Sequence, residues 1–142
     1  MRMSEDLRNR TKRFASDVIQ LYLALPKRRK EVEILGNQRL RSETSVAAHA
    51  REASRARSDS EFCSKLDGLL QEADESQLWI ELLRDDCGID NERISQLYGE
   101  TNELLAIFTT YRGEDKTGKS QKLTHATSPF SLSVFQPFSF ST

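Results

Sequence analysis

"LRSETSVAAHAREASRARS", Leu40 to Ser58, reads as helix, yet between Val46 and Phe62 it offers no apolar side chain larger than alanine. Alanine is the strongest helix former, and the arginines and glutamates around it are also favourable. A helix this poor in bulk cannot fill a core alone. Ser42, Thr44, Ser45, Ala47, Ala48, Ala50, Ala53, Ser54 and Ala56 put little side chain between backbones. The segment can therefore approach its neighbours closely while they supply the volume that close packing demands. Arg41, Arg51, Arg55 and Arg57 then project from the edges of a narrow rod, either to acids on the next helix or outward.

The neighbours are legible on both sides. Upstream, Leu7, Thr11, Phe14, Val18, Leu21 and Leu25 step alternately by four and three, a heptad seam. Ser4 can cap it, with Glu5 and Asp6 in the first turn, and Pro26 stops it and pushes Leu25 out of the helical region. The second helix starts near Arg28, with Val32, Leu35 and Val46 as its bulk and Gly36 as a candidate kink. Downstream, Ser58-Asp59-Ser60-Glu61 has the form of a capping box. Phe62, Leu66, Leu69, Ala73, Ser76, Ile80, Leu83 and Cys87 then repeat the alternation, with Leu70 and Trp79 widening the stripe. Gly88 suits the position after a helix, and Asp90 can cap a last helix bearing Ile94, Leu97, Thr101, Leu104, Phe108 and Tyr111.

With only six glycines and three prolines to punctuate strands, these four amphipathic segments predict an all-α protein. It is an antiparallel up-down four-helix bundle over residues 1–112, with helices at about 5–25, 28–56, 59–87 and 90–111. Residues 113–142 lose the period and alternate Ser/Thr with Phe130, Phe135, Phe138 and Phe140. The spacing predicts a mostly disordered C-terminal tail, an extended segment docked in a groove being the alternative.

Cys63 and Cys87 fall on the third helix about 36 Å apart, at 1.5 Å per residue, too far to bond each other. Unpaired thiols, no signal-peptide pattern and no apolar run of about 20 residues predict a soluble, cytoplasmic protein outside the membrane.

The net charge of −1 hides an asymmetry. Residues 1–57 carry fourteen Lys/Arg against seven Asp/Glu, and residues 58–112 carry four against thirteen. Either the two halves lie against each other in helix or subunit contacts, or the basic half meets an anionic partner such as RNA or DNA. Arg8 and Lys12 share a helix face beside Arg13, and Lys27, Arg28, Arg29 and Lys30 crowd the turn into the second helix. With Arg51 and Arg55 they are the candidate phosphate contacts. No aromatic interleaves with them, so binding should be sequence-tolerant and salt-sensitive.

Nothing points to catalysis. Gly113 to Ser120 matches the phosphate-loop pattern G-x-x-x-x-G-K-[ST], but that loop must follow a strand and open a helix, and here a helix precedes it. A nucleotide-binding enzyme using Gly113–Ser120 is kept only as a remote reading. Di-metal bundles use Glu-x-x-His twice; this chain has only the reversed His49-x-x-Glu52, and no metal or other cofactor is expected. Glu52, Glu72 and Asp74 are better read as partners of Arg41, Arg51 or Arg55.

Three stretches carry a resemblance: "DLRNRTKRFASDVIQLYLALPK" (6–27), "LRSETSVAAHAREASRARSDSEFCSKL" (40–66) and "EADESQLWIELL" (72–83). Over residues 5–112 the chain resembles the 23S rRNA-intervening-sequence proteins. The resemblance implies a small helical bundle that assembles into a homopentamer. It also implies kinship with the accessory variability protein of diversity-generating retroelements, a basic pentameric ring that binds nucleic acid and a reverse transcriptase. The chain departs from the family pattern where Glu43 replaces the glycine of Arg-Ser-Gly-Thr-Ser, and where His49-Ala50 replaces Asn-Tyr. The expectation is a non-enzymatic oligomeric scaffold contacting RNA, DNA or a nucleic-acid-processing protein, or alternatively a purely structural protein-protein interaction module.

Overall fold

Ser4 opens the first helix: its hydroxyl accepts the Leu7 amide at 3.2 Å, and Glu5 and Asp6 oppose the positive end of the helix dipole. In the computed structural model, which describes residues 3–117, this helix is α1 (Glu5–Ala24). It is followed by α2 (Lys30–Ser54), α3 (Asp59–Asp85) and α4 (Glu92–Thr117), and no strand occurs among the described residues. Leu25, ahead of Pro26, takes the extended conformation that a proline imposes on its predecessor. The expectation for residues 118–142 lies outside the described residues.

Contacts link α1 to α2, α2 to α3, α3 to α4 and α4 back to α1, so the helices sit at the corners of a square. Cross-helix bonds give the direction. Arg41 pairs with Glu72 and Glu52 with Lys65, Tyr98 donates to Glu81 and Gln77 to Asn102, and Arg10 pairs with Glu100 while Arg93 donates to the Gln20 carbonyl. Residue numbers therefore rise on one helix as they fall on its neighbour, and the short turn 25–29 reverses α1 into α2. The bundle is all-α and antiparallel.

The heptad seams face inward. Phe14, Val18, Leu21, Leu66, Leu69, Ile80, Ile94, Leu104 and Phe108 are at most 1% exposed. Each such side chain contributes roughly 1.5–3 kcal/mol through burial. The interior is nonetheless divided. A main cluster runs from Met3 to Phe108, and a smaller one at the other end holds Leu25, Val32, Leu83 and Cys87. On α2, Gly36, Arg39 and Glu43 lie between them in sequence.

Several boundaries shift for visible reasons. Glu61 accepts from the Arg57 amide at 2.9 Å, so the box before α3 closes one residue earlier than its reciprocal form, although the Ser58 hydroxyl accepts from Glu61 as expected. Asn91, not Asp90, caps α4 by accepting the Ile94 amide at 3.0 Å. α2 begins at Lys30 without a side-chain cap and ends at Ser54, inside the predicted 28–56. α4 continues to Thr117, past the boundary predicted at 112. Gly88 has φ +71°, the left-handed conformation that glycine adopts without strain. Gly36 is no kink, because α2 is continuous through it. A Cβ there would lie 2.8 Å from Leu25 Cδ1, so its role is to let α1 and α2 meet at their turn.

Candidate nucleic-acid interface

The antiparallel pairing of α1 and α2 sorts the candidate cations into two groups. Arg8, Lys12 and Arg13 lie in the first half of α1, beside the last turns of α2 that carry Arg51 and Arg55. Lys27, Arg28, Arg29 and Lys30 lie at the opposite end, in the turn and first residue of α2 that follow Ala24, and Ala24 is itself about 18 Å along the helix from Lys12. The two groups do not form one patch.

They also differ in how their charge is used. In the turn, Arg29 donates to the Cys87 carbonyl at 2.7 Å and pairs with Glu31 at 2.8 Å, so it closes the carbonyl end of α3. Lys30 pairs with Glu33 at 3.1 Å, and the Lys27 ammonium sits 4.5 Å from the centre of the Tyr22 ring. Of this group only Arg28 has no side-chain partner among the described residues. At the other end Arg8, Lys12, Arg13, Arg51 and Arg55 are all exposed, and none has a side-chain partner among the described residues. Arg57, outside the sequence-based candidates, is exposed at that end too. No aromatic ring among the described residues is in the exposed class, so this face offers charge for phosphates and no platform for stacked bases.

The remaining arginine of the quoted stretch reaches across the surface to α3. Arg41 lies 3.5 Å from Glu72 and 3.2 Å from Glu75. Glu52 takes Lys65 at 2.8 Å instead of an arginine, and the two charges hold each other ionised, lowering the carboxyl pKa and raising the ammonium. Asp74 has no ion pair among the described residues; burial and then repulsion by Glu75 raise its pKa. The His49 ring lies against Gly68, where an added Cβ would come within 3.1 Å of it. Trp79 Nε1 donates to the Ser42 hydroxyl at 3.3 Å.

Sequence reasoning missed the most unusual pair. Arg39 and Glu43 are 1% and 0% exposed and bonded at 3.0 Å, one turn apart on α2. Arg39 Nε and Glu43 Oε2 have no partner among the described residues. Burial raises the Glu43 carboxyl to about 7, outweighing the attraction of Arg39, and lowers Arg39. Buried Ser76 and Thr101 direct their hydroxyls to carbonyls of their own helices, and Gln77 reaches Asn102. The available signal was phase: Val32, Gly36, Arg39, Glu43, Val46, Ala50 and Ala53 form an unbroken four-three seam, all buried.

The first five positions of the phosphate-loop match, Gly113 to Thr117, are the last turns of α4. A helix presents carbonyls at that end, the wrong polarity for phosphate. Among the described residues no three His, Cys, Asp or Glu side chains gather as metal ligands, and no helix is long and apolar enough to cross a membrane. Between α1 and α4 lies an open hollow of about 520 Å³ lined by Leu21, Ala24, Asn91, Glu92, Arg93 and Gln96, without a cluster of nucleophile and base.

Residues 5–110 match the model of the family described as 23S rRNA-intervening sequence protein. Among solved structures, a 1.70 Å crystal structure of a protein with unknown function from the S23 ribosomal protein family of Bacteroides thetaiotaomicron is similar. It aligns at TM-score 0.68 and 29% identity, covering 75% of this chain and 94% of that one. No curated protein matches.

Proposed function

Because the chain belongs to the 23S rRNA-intervening sequence protein family, we propose that it is a non-enzymatic, self-assembling helical scaffold, a homopentamer in its native state, whose basic face contacts RNA or DNA. One observation carries the nucleic-acid reading. Five exposed cations, Arg8, Lys12, Arg13, Arg51 and Arg55, converge from two antiparallel helices on one end of the bundle without acidic partners among the described residues. Uncompensated charge costs self-repulsion and is most readily explained by an anion that meets it. Arg28 and Lys27 contribute more weakly from the far end, and Arg29 and Lys30 serve the fold.

Binding through such a face is to the phosphate backbone. It tolerates any sequence and weakens steeply with salt, with a log–log slope of about −0.7 per phosphate contact on single strands. Titrating a labelled generic RNA at several salt concentrations tests this. The expected result is submicromolar binding at low salt that collapses at moderate salt, and at least a tenfold loss on replacing Arg8, Lys12, Arg51 and Arg55 by glutamate. A second reading, a purely structural protein-protein interaction module, is favoured by Arg10, Arg41 and Arg112, whose charge is met by Glu100, Glu72 and Asp67 on neighbouring helices of the same chain. Absence of RNA and DNA binding at low salt selects it. The protein partner of the scaffold, on either reading, is a second copy of this chain or a nucleic-acid-processing protein.

A further inference from the structure

Tyr22 and Asn37 mark how α1 and α2 meet along their outer edge. The Tyr22 hydroxyl donates to Asn37 Oδ1 at 2.7 Å, and each residue directly follows a buried seam residue, Leu21 on α1 and Gly36 on α2. An unbroken four-three seam returns residues seven apart to the same side of a helix. The helices run antiparallel, so one heptad back along α1 meets one heptad on along α2. The next rung is Ala15 with Thr44, and the one after it, about 21 Å along the helix from Tyr22, is Arg8 with Arg51. The helices remain packed at that level, because Met3, Leu7, Ala50 and Ala53 share one buried cluster.

The last rung therefore sets two exposed guanidiniums on the same edge, where the first rung has a hydrogen-bonded pair. Like charges so placed repel, and no acid relieves them. Glu52, next to Arg51, reaches to α3 and takes Lys65 at 2.8 Å. Glu5 and Asp6 sit in the first turn of α1 and pair with no cation among the described residues. Lys12 and Arg55 flank the rung, each one turn further along its helix, and add to the positive charge. On the middle rung Ala15 has no polar group and the Thr44 hydroxyl donates to the Leu40 carbonyl of its own helix, so that rung supplies no partner either.

We propose that Arg8 and Arg51 clamp a phosphate monoester, the terminal phosphate of a nucleic-acid strand, in preference to the internal diesters of its backbone. This rests on the nucleic-acid part of the proposed function and sharpens it. A backbone diester carries one negative charge, whereas a monoester carries close to two at neutral pH and presents three free oxygens. Two guanidiniums on one edge match the monoester in charge. Each also offers a planar fork of N–H donors, and three free oxygens can meet both forks at once. Lys12, Arg13 and Arg55 then supply the sequence-tolerant hold on the adjoining backbone, while the clamp selects the strand end.

Fluorescence anisotropy of the full chain tests this with one internally labelled generic RNA, prepared with a 5′-phosphate, with a 3′-phosphate or with hydroxyls at both ends, at a salt concentration that weakens backbone contacts. A phosphorylated form should bind about tenfold more tightly than the hydroxyl form, the factor that one added charge-assisted hydrogen bond supplies, and inorganic phosphate should compete the difference away. Arg8→Gln and Arg51→Gln should each abolish the difference with unchanged helical circular dichroism, both side chains being exposed. Arg8→Lys, which keeps the charge and loses the fork, should hold its affinity for the hydroxyl form and lose most of the preference. Binding indifferent to phosphorylation of either end overturns the clamp alone, as does a preference that survives both glutamine variants. No binding of any of the three forms at low salt overturns the nucleic-acid reading as well.

Discussion

Between α2 and α3 the helices pack over nearly their whole length, with buried Ser42, Ala50 and Ala53 on one and Ala73 and Ser76 on the other, the His49 ring against Gly68, and Arg41, Lys65 and Trp79 bridging the edges. Where α1 meets α4 the contact is slight. A hollow stays open between Leu21 and Gln96, and the seam is bridged by Arg10 to Glu100 and Glu103 and by Arg93 to the Gln20 carbonyl. One seam is held by fit and the other by long charged side chains. Small residues gain stability only if the partner backbone comes close, so α2 and α3 depend on atomic complementarity that the α1/α4 seam does without.

The largest effect that can break this contrast is in the interior of α2. Glu43→Ala removes the single partner that a buried guanidinium has among the described residues and should cost about 3–5 kcal/mol, read by urea unfolding at pH 8. Arg39→Met with Glu43→Leu should recover most of that loss, because an apolar pair of similar volume carries no charge out of water. A cost below about 1 kcal/mol for Glu43→Ala would mean that Arg39 escapes to solvent and that the α2 interior is looser than its burial implies. Next comes Ala50→Leu at the close seam. Ala50 is fully buried, and overpacking there should cost about 1–3 kcal/mol by the same measurement.

A smaller effect follows from titration. Glu43 titrates near 7 in the fold and near its ordinary 4.5 when unfolded, so between those values the folded chain holds more protons. The stability this group contributes is complete below pH 4.5 and is lost as pH rises through 7. The melting temperature of the wild type should therefore fall by a few degrees over that range relative to Glu43→Gln, which has no proton to lose. Parallel profiles for the two proteins would show that Arg39 holds the carboxylate ionised despite its burial.

What the sequence disclosed, and what it hid, follows the same division. Seams built from leucine, isoleucine and phenylalanine announce themselves, and every predicted seam position from Phe62 to Cys87 is buried. The alanine and serine stretch was legible as a close-packing helix because nothing else explains so little bulk. Arg39 and Glu43 were not legible, since an Arg-Glu pair one turn apart has the form of a solvated face. Their position in the four-three phase, not their chemistry, marks them as interior. The candidate cations were identifiable by type but not by use, because only the fold reveals that Arg29 caps α3 while Arg8 and Arg51 face water.

The smallest predicted effect is the one that tests the open seam itself. Arg10 lies across from Glu100 at 2.6 Å and also bonds Glu103, and these acids raise its pKa, all signs of a well-formed pair. Yet Arg10 and Glu100 are about a third exposed and Glu103 is largely so, and water screens most of the attraction. Arg10→Ala should therefore cost under about 1 kcal/mol, and the cost should shrink further in high salt. A larger, salt-insensitive loss would mean that the Arg10 stem packs as part of the core, and the α1/α4 seam would then be held by fit as α2/α3 is. A small, salt-dependent loss keeps the two seams distinct, one held by close packing and the other by charges that water screens.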